Sequence, residues 1–304
     1  MSHNALPTAQ QLADLIRSTG AVIDPPLVKG WYAPFRETQS REGAELRADI
    51  AYGDDERQKL DVYVPTAQRK PEDAQGRPLL LFVHGGGFVR GDRRERANVG
   101  WRFAREGFVT VLPSYRLGPQ NHWPAGAQDV AAAWAWAYAN AQALGADPQR
   151  IYIAGESAGA AHVAATTLIA RLRPAHVSAP RAALLVSGVY NVHLEKLARR
   201  QFGVPSPDPR NEAYFGSDFA SYPAMSTVEL IDSAPFPLLV TWAELDPPQM
   251  QIQAGELFAR LVTQHGFDPD VAVIRGHNHL SQLEAINTID DTLAQTLIDF
   301  MQRC

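Results

Sequence analysis

Short runs of consecutive apolar residues alternate along this chain with longer stretches in which apolar positions recur every three or four residues. The runs Leu79–Val83, Phe108–Leu112, Ile151–Ala154, Ala182–Val186, Leu238–Thr241 and Val271–Ile274 have the length and aliphatic content of strands buried on both faces. Two earlier segments, Leu46–Ala51 and Leu60–Val64, alternate apolar with polar positions and predict antiparallel edge strands. Helical spacing predicts helices over about 95–106, 125–144, 158–171, 249–265 and 289–301. The second starts behind Pro124 and carries Val130, Trp134 and Tyr138 at i, i+4 and i+8, a stripe expected to pack on the sheet. Strand and helix in alternation imply an α/β fold, a mostly parallel sheet covered on both faces.

Two regions stand outside the alternation. Residues 1–45 hold one short amphipathic helix, opened by Thr8, stopped by Gly20, with Leu12, Leu15 and Ile16 on one face. Residues 189–235, between the sixth and seventh strands, form an insert rich in Pro, Ser, Asn and aromatic residues.

Chemistry enters at Gly155-Glu156-Ser157-Ala158-Gly159, which follows the run Ile151–Ala154 and precedes an Ala-rich helix. A serine in a G-x-S-x-G turn between strand and helix is held on a sharp elbow whose neighbours must be small, so that the turn closes and a carbonyl can approach the hydroxyl. Ser157 is thus the candidate nucleophile, against the plainer reading of an ordinary strand-to-helix turn. A second motif, His84-Gly85-Gly86-Gly87, ends the run Leu79–Val83. Three successive glycines cost backbone entropy, and the amide N–H groups of such a loop can point at a developing oxyanion. The plainer reading there is a flexible loop.

With these two motifs the chain resembles the α/β-hydrolases, and more narrowly the hormone-sensitive-lipase-like carboxylesterases and the related arylformamidases. Ser114–Leu117, Trp123–Ala125, Asp129-Val130 and Asp147–Ile151 also look like that family's pattern, and the resemblance covers about residues 46–304. It implies an α/β-hydrolase fold, a mostly parallel eight-stranded sheet with helices on both faces and a helical cap. Residues 1–45 and the insert at about 189–235 would form the cap, and residues 46–304 the catalytic domain. The order in this fold is Ser, then Asp or Glu, then His. After Leu238–Thr241 two carboxylates compete, Glu244 and Asp246; the family's Asp before Pro selects Asp246, with Glu244 in reserve. After Val271–Ile274 come His277 and His279, and similar esterases place the base just before an apolar residue and the closing helix, which selects His279. The alternative for the His-x-His pair is a metal site. Gly86, Gly87 and Ala158 match the family's oxyanion donors position by position.

The resemblance requires no cofactor and no metal. Trp31, Tyr32, Phe35, Tyr190, Phe202, Tyr214 and Phe215 are candidate pocket walls in the cap, and His277 a candidate neighbour of the substrate; filling the cap's own core is the competing role for each aromatic. His84 is expected to hold the oxyanion loop, Glu156 to be anchored beneath the elbow, and His162 to be structural. His122, His176, His193 and His265 are expected at the surface.

Composition narrows the field without choosing within it. At 304 residues, 45% hydrophobic, the chain can bury a large core as one domain, and a net charge of −5 offers no basic face to nucleic acid. No apolar run reaches the length of a membrane span. Met1–Pro7 lacks the charged and apolar regions of a secretory signal, and the single Cys304 excludes an intramolecular disulfide, so a cytoplasmic location is expected. The expected substrate is a small-molecule carboxylic ester, of small to medium size. An N-formyl or N-acyl anilide is the alternative, towards which Tyr52–Tyr63 leans. A non-catalytic ligand-binding protein, as in the gibberellin receptors that resemble these esterases, is the alternative of another kind; such receptors lack the base, and His279 is present. A homodimer through the closing strand and helix is a further implication of the family.

Overall fold

The computed structural model describes residues 6–203, 206, 208–234 and 236–304, residue 195 by its backbone alone. Met1–Ala5, most of the N-terminal stretch expected to lack a secretory signal, and Val204, Pro205, Pro207 and Pro235 of the insert lie outside the described residues. Eight strands form one sheet: β1 (Ala44–Ala51), β2 (Lys59–Pro65), β3 (Arg77–Val83), β4 (Val109–Pro113), β5 (Ala146–Glu156), β6 (Ala182–Val186), β7 (Leu238–Leu245) and β8 (Asp270–Asn278). Their spatial order is β1-β2-β4-β3-β5-β6-β7-β8, antiparallel at β1–β2 and β2–β4 and parallel from there on. One expectation fails here: β2 is not an edge. It lies between β1 and β4 and buries Leu60 to Tyr63 on both faces, Asp61 included, because Arg93 reaches in to pair with that carboxylate at 2.8 Å.

The helices in chain order are α1 (Ala9–Thr19), α2 (Pro25–Thr38), α3 (Ala97–Glu106), α4 (Ala125–Asn140), α5 (Ala158–Leu168), α6 (Val192–Gln201), α7 (Pro209–Phe215), α8 (Thr227–Leu230), α9 (Pro248–His265), α10 (Ser281–Glu284) and α11 (Thr292–Arg303). The pleat sorts the core into two layers. Leu79, Leu81, Val83, Ile151 and Ile153 face α4, α5 and α9 on one side, and Leu80, Phe82, Tyr152 and Ala154 face α3 and α11 on the other. Val130 and Trp134 are buried in the first layer with Tyr138 against it, as core. Among the described residues no helix is long and apolar enough to cross a membrane.

The N-terminal region holds more helix than its pattern predicts. Thr8 and Gln11 close a reciprocal capping box on α1, and Gly20 follows it. α2, however, is unforeseen: Pro25, Pro26, Gly30 and Pro34 disguise it. Pro25 and Pro26 sit in its first turn, where a missing N–H costs nothing, Asp24 caps the N–H of Leu27 at 3.1 Å, and Val28, Tyr32 and Phe35 form the buried stripe. That stripe packs with Leu12 on Ala285, beside α10.

Candidate active site

The elbow, the loop after β7 and the loop after β8 all open at the C-terminal edge of the parallel strands, where α/β sheets place their ligand sites. Ser157 sits between β5 and α5 with φ 54° and ψ −121°, a positive-φ conformation that residues with a side chain rarely adopt. The elbow closes only because its flanks are glycine: a Cβ on Gly155 would lie 2.6 Å from the backbone of Gly159, and one on Gly159 would fall on the carbonyl oxygens of Val83 and His84.

His279 bridges the other two candidates. Its Nε2 lies 3.0 Å from Ser157 Oγ and its Nδ1 2.6 Å from Asp246 Oδ1. Ser157 is half-buried, His279 and Asp246 are buried. Asn278 makes the turn that presents His279: its Oδ1 accepts from the N–H groups of Leu280 and Ser281 at 3.2 and 2.9 Å, opening α10. Burial works to lower the basicity of the imidazole, but the Asp246 carboxylate, by charge and by hydrogen bond, and Glu156 more distantly, carry its pKa above the ordinary 6.5, with Arg210 opposing.

The competing residues lie elsewhere. Glu244 is on β7, its carboxylate turned out to accept from the N–H of Gly276 at 2.8 Å and from Arg275 at 3.1 Å, so it does not meet the imidazole. His277 is buried with Nδ1 3.1 Å from Ser281 Oγ and Nε2 3.2 Å from Asp290. The two histidines therefore turn to different partners and do not converge on one point.

Beneath the elbow, Glu156 accepts from the N–H of Gly85 at 2.7 Å and from Arg96 Nε at 2.9 Å. Burial raises its carboxyl pKa, yet the Arg96 charge and the Gly85 N–H outweigh it and hold the group below its usual value. This anchors the glycine loop from below while His84 Nδ1 meets the Gly85 carbonyl at 2.7 Å. At Gly86 (φ 136°) a Cβ would collide with the Arg90 carbonyl, so the loop needs glycine there. Among the described residues nothing accepts from the N–H groups of Gly86, Gly87 or Ala158. His162 is enclosed by the rings of Phe88, Tyr115 and Tyr214 at 5.5, 4.6 and 5.4 Å, and burial pushes it down to about 3, an uncharged packing residue. His122, His176 and His265 are exposed; His193, expected with them, is half-buried.

A cleft of about 160 Å³ opens over Ser157, small beside the roughly 300–1,000 Å³ of sites for drug-sized ligands. The four residues singled out as substrate neighbours, Trp31, Tyr190, Phe215 and His277, do not line it. Trp31 packs on the α1–α2 cluster, Tyr190 turns into the main core, and Phe215 stands edge-on to Phe88 at 5.0 Å within the insert's own core. Tyr32 and Tyr214 are likewise buried in those cores, and Phe202 is 48% exposed. Apolar side chains that do reach the cleft include Ile23, Phe88, Val189, Met250 and Leu280.

Two residues escaped the sequence reading. Ser187, with φ 49° just past β6, donates to Asp246 Oδ2 at 2.5 Å, and the same oxygen accepts from the N–H of Ala243 at 2.8 Å. Gln282 donates to Ser187 Oγ at 2.8 Å and to the His279 carbonyl at 3.2 Å, closing a ring of hydrogen bonds around Asp246 and His279. The unusual φ is the one signal that marks Ser187, and it is invisible in the sequence. Ser187→Ala removes a donor from the carboxylate, whose pull on the His279 proton then grows. We expect kcat to fall on the order of tenfold, as for one lost hydrogen bond to a charged group, with KM little changed and the acidic limb of kcat/KM moved to higher pH. A pH profile identical to wild type would deny Ser187 that positioning role.

Comparison with known proteins accords with this geometry. A family model for the alpha/beta hydrolase fold matches residues 80–283. The ethyl acetate hydrolase of Pseudomonas putida is 30% identical over 224 residues, 69% of each chain. Esterase LipQ of Mycobacterium tuberculosis is 28% identical over 272 residues, 86% of this chain and 63% of that one. Esterase LipC of the same organism is 40% identical over 114 residues, of which it is itself more than three times as long, the match covering 27% of it. In fold, the chain superposes on a bacterial heroin esterase with a TM-score of 0.70 at 24% identity, covering 98% of this chain and 97% of that one. The chain belongs to the α/β-hydrolase fold family. Within that family it is a hydrolase of the carboxylesterase type.

Proposed function

We propose that this chain is a serine esterase acting on short carboxylic esters through an acyl-enzyme. The observation that carries the reading is the His279 bridge, 3.0 Å to Ser157 and 2.6 Å to Asp246. His279 Nε2 takes the Ser157 proton as Oγ attacks the ester carbonyl, and Asp246 keeps the ring in the tautomer with its proton on Nδ1 and stabilises the imidazolium. The N–H groups of Gly86, Gly87 and Ala158 receive the tetrahedral oxyanion, each such donor being worth about 3 kcal/mol of transition-state stabilisation. His279 then protonates the leaving alkoxide, and water repeats the sequence on the acyl-enzyme. Residues 1–45 and about 189–235 act as the cap, each supplying side chains to the cleft, Ile23 and Lys29 from the first and Val189 and Arg210 from the second.

The small cleft and the ethyl acetate hydrolase relative both favour short acyl groups. Among p-nitrophenyl acetate, butyrate and octanoate we expect kcat/KM to be lowest for octanoate, and each short ester to exceed N-formylkynurenine. An anilide rate above every ester rate would make the enzyme an amidase of the arylformamidase kind.

A further inference from the structure

The walls of the cleft are charged where the sequence led us to expect aromatic rings. Three carboxylates line it, Glu95, Glu156 and Asp208, and each is already held: Lys29 pairs with Glu95, Arg96 with Glu156 at 2.8 Å, and Arg210 forks on Asp208, its Nη2 at 2.6 Å. Arg90 is different. It follows the oxyanion loop directly, its carbonyl lies against Gly86, its exposed side chain borders the cleft, and among the described residues it has no carboxylate partner. From the opposite side the stem of Arg210 crosses Gly87, its Cδ 2.9 Å from where a Cβ of that glycine would stand. Two guanidinium-bearing side chains thus flank the oxyanion glycines, on a protein whose formal net charge is −5.

Resting on the esterase reading above, we propose that the enzyme selects esters that carry a carboxylate, with Arg90 as the residue that receives it. The reasoning is electrostatic. A neutral ester gains nothing from a cation at the rim, whereas an anionic one finds an unspent guanidinium, suited to a bidentate grip on a carboxylate. Arg90 stands at the exposed rim of the cleft, so its attraction for a carboxylate is open to screening by salt. Among the described residues the three lining carboxylates pair with Lys29, Arg96, Arg199 and Arg210 and not with Arg90.

Two matched pairs test this on the full chain. Monomethyl succinate against methyl butyrate puts the carboxylate in the acyl part. 4-(Carboxymethyl)phenyl acetate against 4-ethylphenyl acetate puts it in the alcohol part, insulated from the leaving oxygen by a methylene. In at least one pair the carboxylate ester is expected to have the higher kcat/KM, by about tenfold. That preference should shrink as ionic strength rises and fall towards one in Arg90→Gln. Turnover of the neutral esters with no preference for the anionic partner in either pair overturns the inference and leaves the esterase reading standing. A preference that survives Arg90→Gln overturns the assignment to Arg90. No turnover of any of the four esters by the wild type overturns both.

Discussion

Ser157→Ala is expected to remove ester turnover, lowering kcat by about 10⁴-fold to 10⁶-fold, while the folded state and short-ester binding persist. The size follows from the geometry. Among the described residues the hydroxyl is the only group in contact with His279 Nε2 that can form the covalent intermediate, and the residue replaced is small and half-buried on a backbone already held by glycine neighbours. What activity remains would come from the oxyanion donors and substrate binding alone. Because nucleophile and base act as a unit, Ser157→Ala with His279→Ala should be little worse than Ser157→Ala by itself. Initial rates with p-nitrophenyl butyrate, together with the melting temperature of each variant, check both statements. A Ser157→Ala variant within tenfold of wild type would move the nucleophile elsewhere.

His279→Ala should lose about 10⁴-fold or more in kcat, and His277→Ala less than about tenfold, although the two histidines are two residues apart and both buried. The difference lies in what each ring touches. His279 spans serine and aspartate, whereas His277 spans Ser281 and Asp290 and ties the base loop to the segment before α11. The hydrogen bond from His277 holds the Asp290 carboxyl well below its usual range, so His277→Ala is expected to show in the melting temperature, lowering it by several degrees, before it shows in turnover. The reverse pattern of rates would exchange their roles.

The same environment sets a pH dependence. His279 must be neutral to take the serine proton, and its pKa is carried above the ordinary 6.5, so kcat/KM should fall on acidification through a value higher than that of a free imidazole. Stability runs the opposite way for this group. A raised folded-state pKa means the protonated ring stabilises the fold below the unfolded pKa, and that contribution is lost as pH rises through the folded one.

The parts of this site that were legible in the sequence are those set by local backbone. Gly155–Gly159 and His84–Gly87 declare themselves because a tight elbow and a donor loop each demand glycine within a few residues of a strand end. Strand order led to the loops after β7 and β8, and the family resemblance chose Asp246 over Glu244 and His279 over His277 within them. The cleft walls did not follow, since whether Tyr190 or Arg210 borders the cleft depends on how the insert's short elements settle against the core, and an aromatic residue satisfies an interior as readily as a pocket. Tyr190 found the main core and Phe215 found Phe88, leaving the wall to charged residues beside Ile23, Phe88, Val189, Met250 and Leu280. α2 was hidden because four residues that usually break helices sit where this one tolerates them. Ser187 and Gln282 were hidden because their role exists only once β6, β7 and α10 are side by side.

The most direct measurement is the mass of the protein after exposure to a p-nitrophenyl phosphonate ester, followed by peptide mapping. A Ser157 nucleophile activated by His279 predicts one phosphonyl group per chain, located on the peptide bearing Ser157, absent from Ser157→Ala and strongly slowed in His279→Ala. Equal labelling of wild type and Ser157→Ala would contradict it.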